Sequence, residues 1–289
     1  MLTRAQIQRI AQRHGIGAQA QERDYLQHLL LHLLYSRSQV LIFKGGTALR
    51  MVYHGNRYSE DLDFNGPADL SAVQRLWQRV SDDLERYGIV AEVRNARQSE
   101  AGYSFDVSYQ GPLYDGRDRS KGKVRVDISL RQETVEARRE LIVPEYDDVR
   151  PFVARVLTAE QLMAEKVRAL IMRKNPRDVY DLWLLSRQGV GMRPELVSAK
   201  LAVYNLEPAK DLLAAALTQA QMDWERDLRS LLPEFVSWEE LYPVVSTLLD
   251  ELYLEAGPFV TQMTPSSCGR RTHRAREPKR GSRRLPASK

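Results

Sequence analysis

Apolar positions along the chain change their period several times, and each change marks an element. Leu26, Leu29, Leu30, Leu33 and Leu34 recur at helical spacing, which predicts an amphipathic helix over roughly residues 20–36, packed on a core. Val40, Leu41, Ile42 and Phe43 form a run too short for a helix and precede Gly45 and Gly46, so they predict a buried strand. Thr47 to Tyr53 reads as a short helix with Leu49, Val52 and Tyr53 inward, ending near Gly55. Tyr58 to Phe64 alternates as a second strand, and Val73, Leu76, Trp77, Val80 and Leu84 make a further helix. Three more strands follow at Ile89–Val93, Tyr103–Tyr109 and Lys123–Leu130, separated by polar turns such as Asp115 and Gly116.

After about residue 155 the pattern is helical throughout. Thr158 and Gln161 form a capping-box pattern ahead of Leu162, Met163, Val167, Leu170 and Ile171. Asn175 and Pro176 supply an N-cap and a first-turn proline for a helix containing Val179, Leu182 and Trp183. Residues 194–255 read as helices, with Pro233 and Pro243 as breaks. The expected class is α+β: a mixed sheet with flanking helices, then a helical domain and a tail. The expected boundaries are a helical segment over 1–36, an α/β core over 37–153, a helical domain over 154–260 and a disordered basic tail over 261–289.

Composition narrows this little, except at the C-terminus. With 289 residues, 43% of them hydrophobic, the chain can bury a sizeable core. No apolar run approaches the roughly 20 residues needed to span a bilayer, and the N-terminus lacks the apolar stretch of a signal peptide. The single cysteine, Cys268, excludes an internal disulfide framework and a cysteine-based zinc cluster. A cytoplasmic protein with no membrane association is expected. Of the 43 Lys and Arg and 38 Asp and Glu, nine bases and one acid follow residue 261, so the body carries 34 and 37, a net of −3. The basic end is either an electrostatic arm for nucleic acid or an extension without such a role.

Four constellations carry candidate chemistry. In the stretch from Phe43 to Arg50, Gly45 and Gly46 let backbone N–H groups approach an anion, and the helix start adds a favourable dipole. Thr47 could cap that helix and bond a phosphate oxygen, and Arg50, one turn on, could reach the same anion; an ordinary tight turn would look the same. In the second, strand period places Asp61 and Asp63 on one face, with Leu62 and Phe64 on the other. Neighbouring carboxylates repel unless a cation sits between them, and hard oxygen ligands suit Mg²⁺, which also binds phosphates.

In the third, Asp127 shares a strand face with Lys123, Arg125 and Ser129. It could complete a metal clamp or deprotonate an attacking hydroxyl, or it could pair with its basic neighbours. In the fourth, Lys166 stands on an apolar helical stripe and needs an anionic partner or a ligand phosphate, unless it snorkels outward. Asp178 fits the first turn of the next helix, where the dipole favours acids. Asp181 is interior to that helix, and pairing with Lys166 or Arg177 would explain it.

Taken in order, Gly-Gly-Thr-x-Leu-Arg (45–50), Ser-Glu-Asp-Leu-Asp-Phe (59–64), Glu-Lys-Val-x-Ala-Leu (165–170) and Arg-Asp-x-Tyr-Asp-Leu (177–182) resemble the AbiEii nucleotidyltransferase toxins. These are toxins of type IV toxin–antitoxin and abortive-infection systems, related to the MenT toxins and more distantly to the DNA polymerase beta nucleotidyltransferase superfamily. The resemblance spans roughly residues 20–255. It implies a nucleotidyltransferase fold and transfer of a nucleotidyl group from an NTP. It further implies an RNA acceptor such as the 3′ end of tRNA, and a DNA-binding antitoxin as partner. It implies Gly45, Gly46 and Arg50 at the nucleotide, Asp61 and Asp63 as metal ligands, Lys166 on the triphosphate and Asp181 as a catalytic acid. Ser59 matches a position that some relatives phosphorylate as a means of inhibition. Two rivals remain: the same chemistry on a protein hydroxyl or small molecule, and a non-enzymatic nucleotide- or RNA-binding protein working through its basic end.

Overall fold

The structure, a computed structural model, describes residues 1–253; the tail expected over 261–289 lies outside the described residues. Its order is α1 (Arg4–Arg13), α2 (Ala18–Arg37), β1 (Ile42–Lys44), α3 (Gly45–Val52), β2 (Asp61–Asn65), α4 (Leu70–Asp83), β3 (Val90–Gln98), β4 (Gly102–Gln110), β5 (Gly122–Ser129), β6 (Ala137–Ile142), β7 (Phe152–Leu157), α5 (Ala159–Arg173), α6 (Pro176–Arg187), α7 (Pro194–Ala202), α8 (Lys210–Leu228) and α9 (Trp238–Asp250). The strands form one mixed sheet in the order β3-β4-β5-β2-β1-β7-β6. β2 runs parallel to β5, β1 runs parallel to β7, and the remaining pairs are antiparallel. The expected α+β class with a mixed sheet is what the chain adopts.

Helix α2 departs from its amphipathic expectation because it is buried nearly all round. Leu26, Leu29, Leu30, Leu31 and Leu34 are fully buried, and so are the polar Gln21, Asp24 and Gln27. A helix enclosed on every side must satisfy its polar groups internally. Asp24 accordingly accepts from Arg50 at 2.6 Å and from the Tyr146 hydroxyl at 2.6 Å. α4 lays Trp77 against Phe64 and Phe105, each pair edge-on, and so closes its part of the sheet.

Beyond β5 the sequence pattern left a gap that the structure fills with β6 and β7. β7 alternates, with Phe152, Ala154 and Val156 buried, and it pairs in parallel with β1 at Phe43 opposite Val156. The sheet therefore runs on to Leu157, past residue 153. Thr158 caps α5 and Asn175 caps α6 with Pro176 in its first turn, as their patterns predict. Pro243 does not break a helix: it sits inside α9, which continues because Leu241, Val245, Leu248 and Leu249 are buried along it. α5 packs against α6, α7 and α8, and α6 against α8 and α9. Among the described residues no helix is long and apolar enough to cross a membrane.

Candidate active site

β1, α3 and β2 build one wall of the site. The chain leaves β1 at Lys44 and enters α3 at once through Gly45, whose φ of +78° favours glycine. A Cβ on Gly45 would overlap the Asp63 carboxylate, and one on Gly46 would overlap the Arg57 guanidinium and crowd the Ser59 hydroxyl. Both glycines are thus demanded by close approach to other site residues. Strand alternation turns Asp61 and Asp63 to one face, while Leu62 and Phe64 are buried on the other. Asp127 on β5 lies directly opposite Asp63, in parallel register.

Among the described residues neither Asp61 nor Asp63 has a cation within ion-pairing distance. Burial, then the charge of Asp61, pushes the Asp63 carboxyl up to about 6, despite Lys44 and Lys166 nearby. Burial, then Asp127, raises Asp61 as well. Asp127 is gripped side-on by Arg125 at 2.8 and 3.2 Å. Among the described residues no three His, Cys, Asp or Glu side chains converge closely enough to hold a metal together. Asp61 and Asp63 are the pair that could ligate one, with Asp127 beside them.

The opposite wall comes from α5 and α6. Lys166 is buried, and its ammonium bonds Asp181 at 2.7 Å and Asp178 at 3.2 Å. Asp181 is bonded again by Arg57 at 2.9 and 3.0 Å. Burial alone would raise the Asp181 carboxyl, yet Arg57 and Lys166 outweigh it and hold the group below its usual range. Asp178 is fully buried and takes both arms of Arg173, at 2.6 and 2.7 Å. One residue back from Lys166 along α5, Glu165 sits between Lys44 and Lys200, each at 3.2 Å. Against burial, Lys44 and Lys200 bring Glu165 down to about 2.

Between the walls lies a cavity of about 360 Å³. It gathers Gly45, Gly46, Ser59, Asp61, Asp63, Asp127, Lys166 and Arg177 from the sequence expectations. Arg177 also reaches Glu60 at 3.5 Å. Four expected residues are absent from the lining: Arg50, Thr47, Asp178 and Asp181. Arg50 does not reach an anion in the cavity, because it is spent on Asp24 and stacked 3.6 Å from the Tyr58 ring. Thr47 is fully buried, does not cap α3, and donates its hydroxyl to the Asp61 carbonyl at 2.5 Å. Asp178 and Asp181 stand behind the lining and act on it through Lys166, Arg57 and Arg173. Those arginines, with Lys44, Glu165 and Arg168, line the cavity and were not singled out from the sequence. Lys44 was signalled only by its place before Gly45, and Arg57, in an irregular loop, by nothing but its charge.

A mixed sheet presenting two same-face aspartates beside a Gly-Gly turn and a cation-lined cavity defines a nucleotidyltransferase-type site. The family described as nucleotidyl transferase AbiEii toxin, type IV TA system, matches residues 29–250. The chain belongs to this family and is a nucleotidyltransferase of the type IV toxin–antitoxin class. Solved structures with the same fold include JHP933 from Helicobacter pylori, at 20% identity and a TM-score of 0.54 over 82% of this chain and 95% of that one. A second H. pylori protein is also 20% identical, with a TM-score of 0.53 over 82% and 98%. The MenT4 nucleotidyltransferase toxin from Mycobacterium tuberculosis is 21% identical over 86% and 99%, with a TM-score of 0.49. No curated protein matches the chain.

Proposed function

We propose that the chain, acting in the cytoplasm, transfers a nucleoside monophosphate from an NTP to the 3′ terminal hydroxyl of an RNA, with tRNA as the preferred acceptor. Mg²⁺ is the metal we assign to Asp61 and Asp63. The observation that carries this reading is the pair itself: two same-face carboxylates facing a cavity rich in cations, both raised by burial and then by a neighbouring acid, Asp127 for Asp61 and Asp61 for Asp63. Such a pair fits a hard divalent ion, which relieves the repulsion. Bound there, the ion would supply charge neutralisation at the reacting phosphate.

The chain's own groups do the rest. Backbone N–H groups at Gly45 and Gly46 suit the phosphates at the start of α3. Lys166, Arg168, Arg173 and Arg177 neutralise the triphosphate, and the buried aspartates behind them fix Lys166 and Arg173 in place. The acceptor oxygen attacks the α-phosphorus and forms a new P–O bond as the α–β anhydride bond breaks. Pyrophosphate leaves with the bonding electron pair, and the hydroxyl proton passes to the Asp127 carboxylate. Catalysis is then chiefly positioning and charge neutralisation. A single-stranded 3′ end can enter such a site without opening a duplex. A DNA-binding antitoxin encoded with the toxin would restrain it.

The test is to incubate the protein and Mg²⁺ with each α-labelled NTP and either total RNA or total protein. Label on RNA that the Asp61→Ala variant fails to give supports the reading. Label confined to protein overturns the acceptor, and full labelling by Asp61→Ala overturns the metal site.

A further inference from the structure

A second cavity, of about 340 Å³, opens on the far side of the carboxylates. It shares Lys44, Asp63 and Asp127 with the first cavity and adds Arg97, Arg131, Ser104 and Ser129. A reaction centred on Asp63 and Asp127 therefore has room for one reactant on each side.

Strand pairing explains why these groups converge. Arg97 on β3 opposes Ser104 on β4, and Ser104 opposes Asp127 on β5. Asp127 in turn opposes Asp63 on β2, which opposes Lys44 on β1. Directly opposed residues share a sheet face, so one row of side chains leads from Arg97 to the carboxylates. Arg97 stands in that row only because of a bulge. β3 takes three residues from Arg94 to Arg97 where β4 takes two from Asp106 to Ser104. An unbroken ladder would set Ala96 opposite Ser104 and turn Arg97 to the other face. Asn95, at a φ of +54°, forms the bulge, and its amide donates to Asp106 at 2.9 Å.

The two arginines of this cavity are uncommitted. Neither Arg97 nor Arg131 makes an ion pair among the described residues, whereas Arg57 and Arg173 on the other side are each held by a buried aspartate. Arg131 lies 4.8 Å over the Tyr204 ring, which aims it without neutralising it. Two free guanidinium groups, with serine hydroxyls between them and the carboxylates, suit a phosphodiester strand.

We propose that this cavity is the acceptor site, in which Arg97 and Arg131 take backbone phosphates of a single-stranded RNA and deliver its terminal hydroxyl to Asp127. The inference rests on the RNA reading above and adds where the strand enters and which residues set its affinity. The nucleotide and the acceptor then meet from opposite sides of the Asp63–Asp127 row.

The experiment compares the wild-type full chain with the Arg97→Ala/Arg131→Ala double variant, using a single-stranded RNA oligonucleotide with a free 3′ hydroxyl and a labelled NTP. Arg79→Ala, exposed on α4, is the charge control. The KM for RNA is expected to rise about tenfold in the double variant. The slope of log affinity against log salt should fall by about 1.4, the share of two phosphate contacts to a single strand. The KM for NTP and the kcat at saturating RNA should stay within about twofold, and Arg79→Ala should match wild type. An unchanged KM for RNA, or equal losses for RNA and NTP, overturns the acceptor site while leaving RNA as the acceptor. A wild-type protein that labels no RNA overturns both readings.

Discussion

β2 and α6 each bring two aspartates near Lys166, and the two pairs stand in opposite relations to charge. Asp178 and Asp181 are fully buried, and each takes two cationic partners within hydrogen-bond distance. Asp61 and Asp63 are only half-buried, face a cavity, and are raised by burial and then by a neighbouring acid, Asp127 for Asp61 and Asp61 for Asp63. An acid whose charge is matched inside the protein is part of the frame. An acid left unmatched beside a cavity is poised for a cation from outside. The same residue type at similar sequence spacing thus serves two purposes, and substitutions should separate them.

The largest effect is expected from Asp61→Ala or Asp63→Ala. With Asp61 and Asp63 in the proposed role of metal ligands, their loss removes several kcal/mol of transition-state stabilisation, so transfer should fall about a thousandfold with the fold intact. Labelled-nucleotide incorporation and circular dichroism measure the two halves of that statement. Chelation of divalent ions should mimic the loss in wild type, and Mg²⁺ should reverse it. A variant within tenfold of wild type would place the metal elsewhere.

Asp181→Asn tests the opposite side of the comparison. It would leave the buried Arg57 without its carboxylate, while Lys166 keeps only Asp178, a change that costs about 3–5 kcal/mol. At about 2–4 °C per kcal/mol for a chain of this size, the Tm should drop by about 10 °C. If instead Tm holds while activity collapses, Asp181 touches substrate and is no frame residue.

How much of this could be read from the chain depended on whether a feature is local. The Asp61/Asp63 face follows from the two-residue period of a strand, and the Thr158 and Asn175 caps follow from residues within one turn. The row from Lys44 through Asp63 and Asp127 to Arg97 needs the register of five strands and one bulge, which neighbouring residues do not encode. Arg50 illustrates the converse error. Its distance from the glycines along α3 fits a phosphate contact, but the carboxylate of Asp24 on α2 competes for it and wins. Lys166 was legible as a buried cation needing an anion, whereas Arg57, its partner in holding Asp181, came from a loop without periodicity.

Asp63→Asn should produce a gain in stability where Asp181→Asn produces a loss. The Asp63 carboxyl is raised, so the folded protein binds that proton more tightly than the unfolded chain does. Its contribution to stability is full below the ordinary value of 3.8 and is lost as pH rises through about 6. Removing the charge at pH 7 should therefore raise the metal-free Tm by a few degrees, corresponding to about 1–2 kcal/mol after allowance for its partial exposure. The Tm of metal-free wild type should fall, relative to the variant, between pH 4 and 6. Saturating Mg²⁺ should reverse their order at pH 7, because only wild type gains from the ion. A variant less stable than metal-free wild type at pH 7 would mean that Asp63 is already matched by Lys44 and Lys166.

The smallest expected effect is at Thr47, which borders the site without facing it. Its hydroxyl ties α3 to the backbone of β2 at Asp61 and does not line the cavity. Thr47→Val keeps the volume and deletes one buried hydrogen bond, so it should cost about 1 kcal/mol, or 2–4 °C in Tm. Because no phosphate contact is lost, the KM for NTP should not move, and kcat should stay within about threefold. Those two readouts carry the whole distinction drawn between β2 and α6: frame residues lower Tm, and ligand residues lower turnover. A rise in the KM for NTP at unchanged Tm would put the Thr47 hydroxyl on the nucleotide, where the Gly-Gly-Thr spacing alone would have it.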